Sequence, residues 1–306
     1  MRVAFLGNDP WSVPSLASLA RASDVEIVIV ATRVPRPAGR GSRLTPTRVA
    51  DAARELGLPL VETETVRDGA GLEAVRASKP DVLVVVAYGE LLPASVLELA
   101  RPLNVHFSLL PRWRGAAPVP HAILAGDATT GVTVMEMDAG LDTGPILAQG
   151  EEPILPDDDA GSLGERLADH GGALLLETLA NLADLEPSAQ DERLATFAPK
   201  LTPSARNIDW GEAAPAIVRR VRAFAPEPGA TTNWRDEPLK VLRAEAVGRP
   251  PTALPGTVEA VDADGFTVAA GDGTVRPLEV APAGRRHMGA ADFARGARVR
   301  AGDRFG

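Results

Sequence analysis

At 306 residues the chain is long for one small domain and comfortable for two. Its composition, 45% hydrophobic and 24% charged with no cysteine, is that of a globular protein and excludes disulfides, thiolate metal sites and cysteine nucleophiles. A net charge of −9 argues against binding nucleic acid by bulk attraction, yet residues 1–199 hold 16 Lys+Arg against 28 Asp+Glu (−12) whereas residues 200–306 hold 16 against 13 (+3).

The first apolar stretch is short and ends in Gly7-Asn8-Asp9, which reads as a buried strand rather than a leader. Strands are predicted over Arg2–Leu6, Glu26–Thr32, Pro59–Glu62, Val82–Tyr88, Asn104–Leu109 and Gly131–Met137, apolar on both faces as in a covered, largely parallel sheet. Between them, Val13, Leu16, Leu19 and Ala20 recur at helical spacing. So do Val49, Ala52, Ala53 and Leu56, after a Thr45-Pro46-Thr47 start signal. Strand and helix in alternation imply a doubly wound α/β domain. Arg33–Thr47 has five arginines if Arg48 is included, three prolines, two glycines and no hydrophobic period, and is expected to be a long mobile loop.

After Asp157-Asp158-Asp159 a helix is predicted from about Gly161 to Leu185, and an acidic linker, Glu186–Glu192, follows. A further helix spans Glu212–Phe224. Short strands then recur over Thr231–Trp234, Leu239–Ala244, Gly256–Val261, Gly265–Ala269 and Thr274–Val280, a spacing that suggests a small β-barrel. The charge balance places any polyanion-facing surface in this C-terminal third. No apolar run approaches the roughly 20 residues of a membrane span.

Leu6-Gly7-Asn8-Asp9-Pro10 is not a dinucleotide fingerprint: it holds one glycine, and Asp9 would repel a pyrophosphate. By itself it is a strand-to-helix turn with an Asn or Asp cap. In Asn104-Val105-His106-Phe107-Ser108-Leu109-Leu110-Pro111-Arg112-Trp113-Arg114-Gly115, Asn104 and His106 share one face of a strand. Two polar groups on an interior strand need partners, so they are either a satisfied hydrogen-bonding pair or a site for steadying an oxyanion and handling a proton. Asp138-Ala139-Gly140-Leu141-Asp142-Thr143-Gly144 is a second polar turn, whose Asp142 either caps the turn or orients an imidazole.

These segments together resemble the folate-dependent formyltransferase family. The likeness rests on Asn104-x-His106 with Ser108 to Pro118, on Gly140-Leu141-Asp142-Thr143-Gly144, on Val84 to Gly89 and on Arg36 to Gly41. It continues through Lys200-Leu201-Thr202, Ile208-Asp209-Trp210, Pro226 to Ala230 and Pro282 to Met288, in the manner of the branch that acts on tRNA. It departs at Gly7-Asn8-Asp9-Pro10 (usually Gly-Thr-Pro), at Val34-Pro35 and Ser42-Arg43 in the arginine-rich loop, and at Pro120.

The resemblance implies a Rossmann-like catalytic domain (1–190), a linker (191–206) and an OB-like barrel (207–306). It implies transfer of a formyl group from 10-formyltetrahydrofolate, a co-substrate, to the α-amino group of initiator methionyl-tRNA, with Asn104, His106 and Asp142 as the catalytic residues and no metal. Val86, Tyr88, Gly89, Leu91, Ser108, Leu109, Leu110, Pro111 and Asp138 would form the folate pocket. Arg36, Arg40, Arg43, Lys200, Arg285 and Arg286 would hold the tRNA. A cytoplasmic monomer is expected, and the alternative acceptor is an amino sugar on a nucleotide.

Overall fold

The computed structural model describes residues 1–38 and 43–306, which form two compact units. Met1–Pro118, Thr129–Pro153 and Gly164–Pro199 make the first; Val119–Ala128, Ile154–Leu163 and Lys200–Gly306 make the second.

In chain order the first 180 residues give β1 (Arg2–Gly7), α1 (Val13–Arg21), β2 (Glu26–Arg33), β3 (Arg36–Ala38), β4 (Arg43–Thr45), α2 (Arg48–Glu55), β5 (Leu60–Thr63) and α3 (Gly69–Ala77). They continue with β6 (Val82–Val86), α4 (Ala94–Leu97), β7 (Arg101–His106), α5 (Pro118–Ala125), β8 (Thr129–Glu136), β9 (Ile146–Pro153) and α6 (Ala160–Ala180). The sheet runs β5-β2-β1-β6-β7-β8-β9; its first five strands are parallel, and β8 and β9 add antiparallel. Val3, Ala4, Phe5 and Leu6 are all fully buried, which is why β1 shows no polar alternation. Ala4, Leu6, Ile29, Ala31, Leu83 and Val85 share one core cluster with Leu72 and Val75 of α3 and with Tyr88.

Having laid β2 and β5 on one side of β1, the chain returns to place β6 on the other. The crevice beyond the carboxyl ends of β1 and β6 is therefore the topological switch point, where ligands bind in such sheets. Its two lips are tied: Asn8 Nδ2 donates to the Tyr88 carbonyl, Arg33 N donates to Asn8 Oδ1 (2.8 Å), and Ser12 Oγ donates to the Val86 carbonyl (2.7 Å). Asp9, as its position in the turn suggests, caps the short helical turn that follows, accepting from Trp11 N at 3.0 Å.

Among the elements that differ from the sequence pattern, four have a plain physical reason. Within the segment expected to be an irregular loop, β3 and β4 pair as a two-stranded ribbon, a contact too short to impose a hydrophobic period. β7 begins three residues earlier than predicted and stops at His106, because the next backbone groups are taken by the Thr133 side chain. β9 was not predicted at all: Gly150, Glu151 and Glu152 hide its alternation.

In the second unit follow α7 (Ala214–Phe224), β10 (Ala230–Trp234), β11 (Glu237–Val247), β12 (Val258–Asp262), β13 (Gly265–Ala269), β14 (Thr274–Pro282), β15 (Met288–Gly289) and α8 (Ala290–Ala297). The antiparallel path is β10-β11-β14-β13-β12, with β15 on β14. The last residues bond to both ends of that path: Phe305 bridges Trp234, Arg304 bridges Thr257, and Val258 N donates to the Asp303 carbonyl (2.8 Å). Trp234, Phe266, Phe293 and Phe305 form an aromatic core, with Phe266 and Phe305 stacked at 5.4 Å. α7 gathers the earlier segments of this unit, as Arg219 Nε donates to the Leu124 carbonyl (3.1 Å) and Arg222 Nη2 to that of Leu155 (2.7 Å).

Gly164 marks the tightest packing of α6 in the first unit, since a Cβ there would fall 2.0 Å from the Trp11 ring, which stands edge-on to Phe107. Gly164→Ala is expected to lower the unfolding free energy by roughly 1–3 kcal/mol, read from the urea midpoint; an unchanged midpoint would mean that Trp11 withdraws without cost.

Candidate active site

Asn104 and His106 lie among the last three positions of β7 and point to one face of the sheet. Val85 of β6 stands opposite Asn104, and Thr133 of β8 opposite His106. The turn after β8 folds back over that face and brings Asp142 to both. Asn104 Nδ2 donates to Asp142 Oδ1 at 3.4 Å, and His106 Nδ1 lies 3.7 Å from Asp142 Oδ2. The His106 side chain is 6% exposed and that of Asp142 14%, so bulk water screens this group of three poorly.

His106 Nε2 is 2.9 Å from the Trp113 carbonyl. A carbonyl only accepts, so the hydrogen sits on Nε2. The imidazole is therefore fixed on one side by a backbone oxygen and faces a carboxylate on the other. Asp142 Oδ2 also accepts from Gly115 N at 2.8 Å. An amide nitrogen carries two donors, and Asn104 turns one of them to Asp142.

Two residues of this arrangement hold left-handed backbones, Trp113 at φ +64° and Asp142 at φ +53°. Each costs about 1–2 kcal/mol relative to ordinary conformations, and such residues persist only where their surroundings over-determine them. Trp113 N donates to Thr196 Oγ1 (2.9 Å), and the Arg112 guanidinium lies over the Trp113 ring at 4.3 Å. Gln190 Nε2 donates to the carbonyls of Asp142 (2.9 Å) and Gly144 (2.7 Å). Thr133 Oγ1 donates to the Ser108 carbonyl (2.6 Å) and accepts from Leu110 N (3.1 Å), while Gln149 Nε2 donates to the Leu110 carbonyl (2.9 Å).

Residues 188–198, a stretch whose composition reads as a linker, run as a strap along this loop. Arg114 N donates to the Thr196 carbonyl (2.9 Å), Ala198 N to that of Arg114 (2.7 Å) and Ala117 N to that of Ala198 (3.1 Å). The Arg114 side chain, 2% exposed, is held by Glu192 (Nη2–Oε1 2.8 Å) and by Gln190 Oε1. The same bond holds the Glu192 carboxyl below its ordinary range and lifts the Arg114 guanidinium above its own.

The other residues singled out in the sequence fall in several places. Val86 is buried at the end of β6. Tyr88 turns its ring into the core, where burial raises the phenol's pKa, and so offers the crevice its backbone. Gly89, at φ +78°, has open space where a Cβ would stand, and Leu91 is 64% exposed beside it. Ser108 Oγ donates to the Arg112 carbonyl (2.6 Å), Leu110 is buried, and Leu109 and Pro111 are half-buried. Asp138 closes its turn by accepting from Gly140 N (2.9 Å) and Thr143 Oγ1 (2.7 Å).

Arg36, paired with Glu64 at 3.2 Å, and Arg43 are exposed on the β3–β4 ribbon, and Arg40 lies outside the described residues. Lys200, Arg285 and Arg286 are exposed in the second unit, the two arginines in the turn between β14 and β15. Sequence reading missed Thr133, Gln149, Gln190, Thr196 and the Trp113 carbonyl. Of these, Trp113 lies inside the segment singled out for its polar pattern and Thr133 inside a predicted strand; the others lie in neither. Among the described residues, no group of three or more His, Asp or Glu stands where it could hold a metal ion.

Gly115 has φ +122°, and a Cβ on it would stand 2.7 Å from the Ala198 carbonyl oxygen. Gly115→Ala is expected to lower stability by about 1–3 kcal/mol, measured by thermal unfolding. An unperturbed melt would show that strap and loop part easily.

Two families match the chain: residues 1–179 match that described as Formyl transferase, and residues 200–298 that described as Formyl transferase, C-terminal domain. The chain is 45% identical over 308 residues to a methionyl-tRNA formyltransferase of Thermus thermophilus, covering 100% of this chain and 99% of that one. It is 46% identical over 304 residues to the protein of that name from Rhizorhabdus wittichii, covering 99% and 97%. Among solved structures, an N-formyltransferase from Helicobacter canadensis in complex with folinic acid and dTDP-3-aminofucose has the same fold, with a TM-score of 0.66, 17% identity and coverage of 89% of this chain and 97% of that one.

Proposed function

The chain belongs to the formyl transferase family, and from that premise we propose that it transfers the formyl group of 10-formyltetrahydrofolate to the α-amino group of initiator methionyl-tRNA. The observation that carries this reading is the meeting of Asn104, His106 and Asp142 on one sheet face, from two segments 36 residues or more apart. The tRNA acceptor is supported by relatives of that name matching along the whole chain, the C-terminal third included. Likeness to the amino-sugar enzyme is a likeness of fold.

The residues at the switch point suit a flat, polar heterocycle. Gly89 leaves its backbone open to close approach, Ala87 at φ +43° turns the strand end, and Leu91 and Leu141 offer exposed apolar surface. We assign the folate to Val86, Tyr88, Gly89 and Leu91 at the end of β6, with Ser108, Leu109, Leu110, Pro111 and Asp138. The folate, when bound, supplies an activated formyl carbon.

The chain's own groups do the rest. Asn104, through its second N–H, and His106, through Nε2–H, donate to the formyl oxygen as it gains negative charge during attack by the amine nitrogen. In this structure that His106 hydrogen rests on the Trp113 carbonyl. Asp142 keeps the imidazole oriented, and with His106 passes the proton that the amine loses to the folate nitrogen as its bond to the formyl carbon breaks and tetrahydrofolate leaves.

Chemistry is assigned to residues 1–190 and RNA binding to 207–306, joined through 191–206, with Arg36, Arg40, Arg43, Lys200, Arg285 and Arg286 as the cations facing RNA. The closure of both ends of the antiparallel path by residues 303–305 supports an OB-like barrel in the second unit. A monomer working in the cytoplasm completes the reading.

In parallel assays with 10-formyltetrahydrofolate, formyl-methionyl-tRNA is the expected product, and a nucleotide amino sugar is left untouched. Product only from the sugar would overturn the acceptor assignment. His106→Ala and Asn104→Ala are each expected to lower kcat by about 100-fold or more, and wild-type rates in both would remove the site. Arg285→Glu with Arg286→Glu should raise KM for tRNA, leave KM for folate unchanged and flatten the salt dependence of binding. A tRNA affinity equal to wild type at every salt concentration would take these two arginines out of the RNA surface.

A further inference from the structure

Gln190 has a place in the site that its sequence context does not suggest. All four hydrogen-bonding positions of its side-chain amide are used. Nε2 gives one hydrogen to the Asp142 carbonyl (2.9 Å) and one to the Gly144 carbonyl (2.7 Å); Oε1 accepts from Arg114 Nε (2.9 Å) and Nη2 (2.8 Å). The amide's orientation is unambiguous, because a guanidinium only donates and a carbonyl only accepts. One side chain thus joins the turn that carries Asp142 to the loop that carries the Trp113 carbonyl and the Gly115 N–H, the two backbone groups that touch His106 and Asp142.

Asp142 needs such a tie. Its left-handed backbone is uphill, and Gln190 bonds to its own carbonyl and to the carbonyl two residues on, bracketing the peptide units that set where the carboxylate points. Asp138 closes the start of the same turn through Gly140 and Thr143, but does not reach residues 142 and 144. At the turn's far end, a Cβ on Gly144 would fall 1.9 Å from the Glu136 carbonyl oxygen, so the turn has no slack there. Gln190 itself is held by the strap: Ser188 and Ile146 exchange two backbone bonds of 2.8 Å, and Thr196 bonds to Trp113.

We propose that Gln190 is a positioning residue for the transfer, holding the Asp142 carboxylate against His106 and Asn104 through the carbonyls of residues 142 and 144 while it fixes the loop through Arg114. The proposal rests on the catalytic reading of Asn104, His106 and Asp142. It adds that the strap, not the sheet alone, completes the site.

The full-length protein tests it with two variants. Gln190→Met keeps the side chain's length and removes all four bonds; Gln190→Glu keeps the acceptor for Arg114 but has no hydrogen for the two carbonyls. Both are expected to lower kcat for methionyl-tRNA formylation by between about 10- and 100-fold, as misplacement of a catalytic group does, with KM for both substrates within about threefold of wild type. In an Asp142→Ala background, adding Gln190→Met should then lower kcat less than about twofold, because residues that act as a unit are not additive. A wild-type kcat in Gln190→Glu, or a full multiplicative loss on top of Asp142→Ala, would overturn the proposal.

If Gln190→Met proves too unstable to assay, Gln190→Glu carries the comparison alone. A substrate-free arm separates this proposal from the acceptor assignment. The His106 ring resonances in the NMR spectrum, assigned by their loss in His106→Ala, should shift in the Gln190 variants whichever amine the enzyme formylates. Unshifted resonances would overturn the positioning role, whereas an enzyme silent on methionyl-tRNA but with shifted resonances would overturn only the acceptor.

Discussion

A carboxylate with only 14% of its side chain in contact with solvent loses water that other donors must replace. Much of the first unit near the site can be understood as meeting that demand at Asp142. Oδ1 is answered by Asn104 and Oδ2 by the Gly115 N–H, with His106 Nδ1 3.7 Å from Oδ2. The two donors, Asn104 and Gly115 N–H, come from different pieces of chain, and each piece has to be fixed. β7 fixes Asn104 and His106 through its central place between β6 and β8. The loop that carries Gly115 is fixed by the strap.

That dependence explains why so many polar side chains here bond to backbone rather than to one another. Thr133, Gln149, Thr196, Ser108 and Gln190 all satisfy carbonyls or N–H groups of segments that belong neither to a helix nor to a strand. Irregular backbone near a buried site cannot rely on water, so side chains take its place. The result is a rigid setting for a histidine whose ring has little freedom to turn. Such rigidity suits a reaction in which the catalytic groups must be placed before the charge develops.

The second unit is organised differently. Its core is aromatic, built on Trp234, Phe266, Phe293 and Phe305, and its final residues bond to both ends of the strand path. Within it the basic excess belongs to residues 200–306, where exposed arginines such as Arg285 and Arg286 stand on a turn. The first unit, by contrast, builds its site from buried, hydrogen-bonded polar groups.

The sequence by itself determined the layers. Runs such as Val82–Val86, apolar on both faces, read as interior parallel strands, and the short, evenly spaced strands after residue 230 read as an antiparallel unit, although the pairing of β11 with β14 is not a neighbour pairing. It also pointed to Asn104, His106 and Asp142, because two polar residues on one face of a buried strand, and an aspartate in a glycine-bounded turn, are anomalies that ask for a reason. What holds those three together was decided only by the tertiary structure. Gln190 lies 48 residues from Asp142 and 76 from Arg114, in a stretch with no hydrophobic period, so nothing local marks it. The left-handed backbones of Trp113 and Asp142 are likewise invisible in residue type, since each is uphill locally and is paid for by bonds from elsewhere in the chain. Periodicity reports what a segment buries; it cannot report which distant side chain will satisfy the backbone that the segment leaves open.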